Sequence, residues 1–134
     1  MEWTPAKLRY LLAFHTLNLQ NDQGSSVRCI DIAIHLGIGR ASSSRMLTQF
    51  VEDGILTNSG KSGFQLTELG LRETEHYYAQ FESLYHLFCD KLGLSDFDAR
   101  ECAVNLITSL PDNIAEDLRS KCQQFLQLSL PSQS

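Results

Sequence analysis

The chain has 134 residues, 43% of them apolar and 20% charged, which suits an ordinary soluble protein of one or two small packed units. No run of about 18 apolar residues occurs, so no membrane span is expected. The N-terminus "MEWTPAKLRYLLAF" has charges inside its apolar part and no small-residue cleavage site, which argues against a secretory leader and makes the cytoplasm the expected compartment.

The net charge of −5 argues at first against a nucleic-acid partner, but it is unevenly placed. Residues 1–70 hold six bases and six acids, whereas residues 71–134 hold five bases and ten acids. Attraction to phosphate depends on the field of one face, not on the total. The halves are therefore read as two parts with different tasks, divided at 70/71. The four cysteines (Cys29, Cys89, Cys102, Cys122) form no CxxC pair, so they read as free, packed thiols and not as a zinc site.

Along the chain, Thr4-Pro5 opens a first helix that runs to about Leu19, with Leu8, Leu11, Leu12 and Leu19 at helical spacing. "NDQGSS" (21–26) is a loop. A second short helix covers about 27–36, with Cys29, Ile32, Ala33 and Leu36 on one face, and Gly37-Ile38-Gly39 breaks it. A third helix follows from about Ala41 to Asp53, with Ser43, Leu47, Phe50 and Val51 inward and Met46 at the edge; Gly54 stops it. Ile55–Thr57 and Phe64–Leu66 form a β-hairpin around the turn-rich, basic tip 58–63.

Thr67 then caps a long helix expected to reach Leu92, carrying more large apolar side chains than one small domain can bury. Tyr78, Phe81, Leu84, Tyr85 and Phe88 are its expected contacts with a second chain. Ser95 starts another helix, to about Leu110. Pro111, at a first-turn position, opens the last one, with the stripe Ile114, Leu118, Cys122, Phe125 and Leu126. The tail "SLPSQS" is expected to fray.

Helix, helix, tight turn, helix, hairpin is the order of a winged helix-turn-helix. The fold class expected is mainly α: a winged helix-turn-helix DNA-binding domain (1–70) followed by an α-helical dimerisation domain (71–134). In such a fold the third helix enters the major groove by its N-terminal residues. That role accounts for "GRASSSRMLTQFVEDGIL" (39–56). Gly39, Ala41, Ser42 and Ser44 are small enough for close approach, and hydroxyls and free N–H groups at a helix start suit phosphate oxygens. Arg40 and Arg45 suit guanine or phosphate, Thr48 and Gln49 extend the outward face, and Lys61 at the hairpin tip suits an adjacent phosphate or the minor groove. A serine-rich helix start that only caps is the plainer alternative.

"IDIAIHLGIGRASSSRMLTQFVEDGIL", "GFQLTELG", the helix ending "LFCDKLGLS" and "SLPDNIAEDLRSKCQQFLQ" together resemble the DtxR/MntR family of metal-dependent transcriptional repressors, in its short two-domain form. The resemblance runs from about Lys7 to Gln127. It implies a homodimeric repressor binding double-stranded DNA at a palindromic operator, with recognition helices one duplex turn, roughly 34 Å, apart. It implies DNA-facing positions at Gly39, Arg40, Ala41, Ser42 and Arg45, with Gln49 near a phosphate.

The family also implies a divalent metal, but its ligand positions fall here near Ala6 and Arg9, at Phe81 (or Glu82, one residue on), and on Val104, Ile107 and Thr108. Apolar side chains cannot bind a metal ion. The expected regulator therefore lacks the family's usual metal control. A relocated site at Glu82, His86 and Cys89, spaced on one helical face, is the alternative. A third reading keeps the fold as a protein–protein interaction module. No nucleophile–base pair or phosphate loop suggests an enzyme.

Overall fold

A computed structural model describes residues 2–20 and 26–128. The expected loop at 21–26 falls almost wholly, and the expected frayed tail at 129–134 wholly, outside the described residues. The chain divides into two compact units, Met1–Glu75 and His76–Ser134. The division lies within a long helix, five residues beyond the boundary expected from the charge distribution.

The first unit holds helices α1 (Pro5–Gln20), α2 (Cys29–Leu36) and α3 (Arg40–Glu52), then strands β1 (Leu56–Asn58) and β2 (Phe64–Leu66). Thr4 caps α1 by accepting a hydrogen bond from the Lys7 amide at 3.2 Å. The buried face of α1 is Leu8, Tyr10, Leu11, Ala13 and Phe14, whereas Leu19, expected inward, is 70% exposed. In α2 only Ile32 and Ala33 are fully buried; Cys29 and Leu36 are half-buried at its two ends. Gly37 adopts φ 67 and ends the helix with the left-handed residue that glycine tolerates without strain.

The hairpin is antiparallel, pairing Leu56 with Leu66, Thr57 with Gln65 and Asn58 with Phe64. A 3₁₀ turn over Gly60–Ser62 forms its tip, and Asn58 accepts a hydrogen bond from the Gly60 amide at 2.9 Å. One isolated bridge flanks this two-stranded sheet: Val27 and Phe64 exchange both backbone hydrogen bonds, at 2.9 and 2.8 Å. The residue preceding α2 is thereby fastened to the hairpin.

Helix α4 (Glu68–His86) carries the chain into the second unit. It was expected to continue regularly to Leu92, but residues 87–91 form one π-helical turn, with the Leu92 amide bonding the Leu87 carbonyl five residues back. The wider turn carries one residue more than α-helical geometry accommodates, which the apolar spacing does not reveal. Helices α5 (Asp96–Ser109) and α6 (Asp112–Leu128) follow. Ser95 caps α5, accepting from the Asp98 amide at 3.1 Å. Replacing Ser95 with alanine is expected to cost about 1 kcal/mol, read by urea denaturation.

Pro111 stands one position earlier than expected. Helix α6 begins at Asp112, and the Pro111 carbonyl accepts from the Ile114 and Ala115 amides, which is an N-cap role. The stripe of α6 is also rotated from expectation. Ala115 and Cys122 are buried, but Ile114 and Phe125 are about half exposed.

Phe81, Leu84, Ala99, Ala103, Val104 and Ile107 are all buried. Phe81 (7% exposed) and Leu84 (1%) therefore have almost no surface to offer a second chain, contrary to their expected role. Tyr78, Tyr85 and Phe88 keep partial exposure, and Leu92, Phe97, Ile114 and Phe125 are the larger exposed apolar groups of this unit.

Around Phe81 the Tyr85 ring stacks at 5.8 Å and the Arg100 guanidinium covers both rings, 5.9 Å from Phe81 and 5.4 Å from Tyr85. Asp96 ties the group together, accepting from the Tyr85 hydroxyl at 2.6 Å and from Arg100 at 3.2 Å. The Tyr85 hydrogen bond, then Arg100, holds the Asp96 carboxyl below the usual carboxylate range, while the same bond raises the Tyr85 phenol. A carboxyl lowered by folding stabilises the fold above its unfolded value and ceases to as pH falls through its folded value. An NMR titration of Asp96 is expected to give a midpoint below that of a free aspartate, moving upward in Tyr85→Phe.

Candidate nucleic-acid interface

Helix α3 is fixed from one side only. Ser43, Leu47 and Phe50 recur at helical spacing, and each is no more than 2% exposed. The Ser43 hydroxyl donates to the Cys29 carbonyl at 3.3 Å, which joins the start of α3 to α2. Trp3 lies against Phe50, ring centres 6.0 Å apart. The opposite face is open. Gly39, Arg40, Ala41, Ser42, Ser44, Arg45, Thr48 and Gln49 are all exposed, as is Lys61 at the hairpin tip.

The local sequence supports this geometry. Gly39 is the N-cap, with extended backbone (φ −68, ψ 147) and no side chain, so the first-turn amides of α3 are not covered by a capping group. No acid stands in that turn, so the positive end of the helix dipole is not neutralised by its own helix. Arg40 and Arg45 add charge of the same sign.

Two of the longer polar side chains have partners on the same helix. An Arg45 guanidinium nitrogen lies 3.4 Å from the Ser42 hydroxyl, and the Gln49 amide donates to Asp53 at 3.3 Å. Arg45 is also near enough to the Tyr10 phenol to oppose, through its charge, the upward push of burial on that group. The acids of α3 and its C-cap, Glu52 and Asp53, lie at its far end. The polar face is thus graded, cationic at the start and anionic at the end.

The donors expected for a relocated metal site do not converge. Glu82 hydrogen-bonds Tyr78, whose phenol is raised mainly by burial and then by that bond. His86 Nδ1 lies 2.9 Å from Asp90, and Cys89 contacts Tyr85. At the positions the resemblance assigns to ligands, Phe81, Val104 and Ile107 are buried apolar groups, and the Thr108 hydroxyl donates back to the Val104 carbonyl at 2.9 Å. These residues do not fit a metal ion. Among the described residues no group of three or more His, Cys, Asp or Glu side chains could hold a metal ion. Nor is any helix among them long and apolar enough to cross a membrane.

No family model and no curated protein matches the sequence. Solved structures match the fold. The metal-dependent transcriptional regulator MtsR superposes with TM-score 0.74 at 16% identity, over 93% of this chain and 55% of its own. The manganese regulator SloR superposes with TM-score 0.73 at 18% identity, over 93% and 55%. A hypothetical protein from Sulfolobus solfataricus, SSo2273, gives 0.62 at 20% identity, over 97% and 92%. At such identities the likeness establishes the fold, which is similar to that of DtxR/MntR-type regulators. The chain spans about half the length of the regulators it matches.

Proposed function

We propose that the chain is a sequence-specific, DNA-binding transcriptional regulator, a repressor by analogy with its structural neighbours, that acts as a homodimer on a palindromic operator. The observation that carries this reading is the one-sided fixing of α3. Its inner face is locked by Ser43, Leu47 and Phe50, and its outer face presents two arginines, small residues and uncapped amides. A helix held so can enter a major groove without rearrangement. Lys61 on the hairpin tip would meet the flanking backbone. Pairing would use the helical unit, through what Tyr78, Tyr85 and Phe88 leave exposed together with Leu92 and Phe97.

Control by a metal at the family's usual positions is not part of this reading, because buried Phe81, Val104 and Ile107 stand there. The likeness to MtsR and SloR supports a regulator of that kind. Fluorescence anisotropy with a mixed-sequence duplex tests the reading. Affinity should fall steeply from 50 to 200 mM salt, because cationic side chains displace condensed counterions. A flat salt dependence would favour a protein–protein module. Lys61→Ala should lower the slope of log affinity against log salt by about 1, at all sequences alike.

A further inference from the structure

The first unit holds a cleft of about 440 Å³ that shares no residue with the candidate DNA interface. It is lined by Leu17 of α1 and by Val27, Arg28, Asp31, Ile34 and His35, which lead into and form α2. A cleft of that size admits a small molecule. Arg28, Asp31 and Ile34 recur at three-residue spacing, so they stand on one side of α2. Ile34 is strongly apolar and yet 72% exposed.

The charged pair in this wall is only half used. Arg28 Nε donates to Asp31 Oδ2 at 3.3 Å, and neither side chain has another hydrogen-bond or ion-pair partner among the described residues. The two terminal nitrogens of the Arg28 guanidinium are left over, and so is Asp31 Oδ1. The two side chains are 62% and 39% exposed, where a single bridge contributes little to stability. What stays open is a forked cationic donor beside an anionic acceptor, next to an aliphatic wall. The donor matches a carboxylate and the acceptor matches an ammonium group. A lone anion or a lone cation would meet a like charge beside its partner, whereas a zwitterion meets two opposite ones.

We propose that this cleft is an effector site for an α-amino acid with a large apolar side chain, its carboxylate on Arg28, its ammonium on Asp31 and its side chain against Leu17, Val27 and Ile34. Such a molecule carries its two charges on neighbouring carbons, the close spacing that one ion pair offers. The wall leads directly into the elements behind it. Val27 exchanges two backbone hydrogen bonds with Phe64 of the hairpin, and the Cys29 carbonyl accepts from Ser43 of α3. Gly63 leaves no room for a side chain beside the Val27 carbonyl, so wall and hairpin are in direct contact. A ligand in the cleft would therefore steady the hairpin and the start of α3. Its effect on DNA affinity rests on the DNA-binding reading; the site itself does not.

The test is NMR of the full chain, observed at methyl and amide groups and titrated with L-phenylalanine in the absence of DNA. Ring-current shifts at the methyls of Leu17, Val27 and Ile34 should saturate together, as one site. 3-Phenylpropanoate lacks the ammonium and 2-phenylethylamine lacks the carboxylate. Each should bind at least about tenfold more weakly, through loss of hydrogen bonds between charged groups. Arg28→Met and Asp31→Asn, with unchanged far-UV circular dichroism, should weaken L-phenylalanine by a similar factor. The Val27 and Phe64 amides, each bonded to the other's carbonyl, should exchange with solvent more slowly in the bound state. No saturating shift at the three residues, equal binding of 3-phenylpropanoate, undiminished binding in a folded Arg28→Met or Asp31→Asn, or unaltered exchange at Val27 and Phe64 would each overturn the proposal. With no DNA present, failure of the DNA-binding reading leaves all these outcomes unchanged.

Discussion

Replacing Arg45 with alanine is expected to weaken binding to the preferred duplex by about tenfold to a hundredfold, the ~1–3 kcal/mol of one bidentate contact to a guanine edge. Arg45 sits in the second turn of α3, on the exposed face, with Ser42 3.4 Å from its guanidinium. Of its five N–H donors, the contact with Ser42 engages one, so a forked pair remains for an acceptor pair such as guanine O6 and N7. Binding to an unrelated duplex should change much less, and so the ratio of specific to non-specific affinity should fall. Equal losses on both duplexes would make Arg45 a phosphate contact. Folding should be unaffected, because the side chain is exposed.

Replacing Gly70 with alanine is expected to destabilise the first unit by roughly 3 kcal/mol, in the range of severe single substitutions. Helix propensity alone predicts the opposite sign, since alanine in a helix is favoured over glycine by about 1 kcal/mol. The geometry decides. A Cβ on Gly70 would lie 2.2 Å from the Ile55 carbonyl oxygen, which is backbone and cannot swing aside. Gly70 also stands in the first turn of α4. Its amide donates to the Thr67 hydroxyl at 3.0 Å, and the Thr67 amide donates to the same Ile55 carbonyl at 3.0 Å. Forcing these segments apart would separate the hairpin from the start of α4. Urea denaturation of the variant measures the loss. A wild-type midpoint would show that the close approach is not needed.

Much of the element order can be read from local chemistry. Thr4-Pro5, Gly37, Gly54 and Ser95 mark ends that the backbone respects, because caps and left-handed turns depend on one or two residues. The inward positions of α3 are legible for a similar reason: Ser43, Leu47 and Phe50 repeat at helical spacing over about two turns. Where a stripe faces is harder. Leu19 and Phe125 carry the same apolar signal as Leu11 and Cys122, yet they are exposed, because periodicity does not say where the neighbouring element ends.

The candidate interface depends on short-range pattern, so the sequence suggests it directly. The hydrogen-bonded group in which His76 meets Asp112 at 2.7 Å and Gln80 meets Glu116 at 3.1 Å is not legible in this way, because 36 residues separate the partners in each pair. Only the folded chain, through side-chain hydrogen bonds between α4 and α6, brings them together. The π-helical turn was illegible because its extra residue leaves the sequence periodic on either side.

Selection from a pool of randomised duplexes with the full chain, followed by sequencing of the retained DNA, tests the central claim most directly. The account predicts an inverted repeat whose half-sites are centred about one helical turn apart, or a multiple of it, with guanine preferred at a position that becomes degenerate in Arg45→Ala. A pool that emerges without enrichment, at salt low enough for cationic helices to hold DNA, would contradict it.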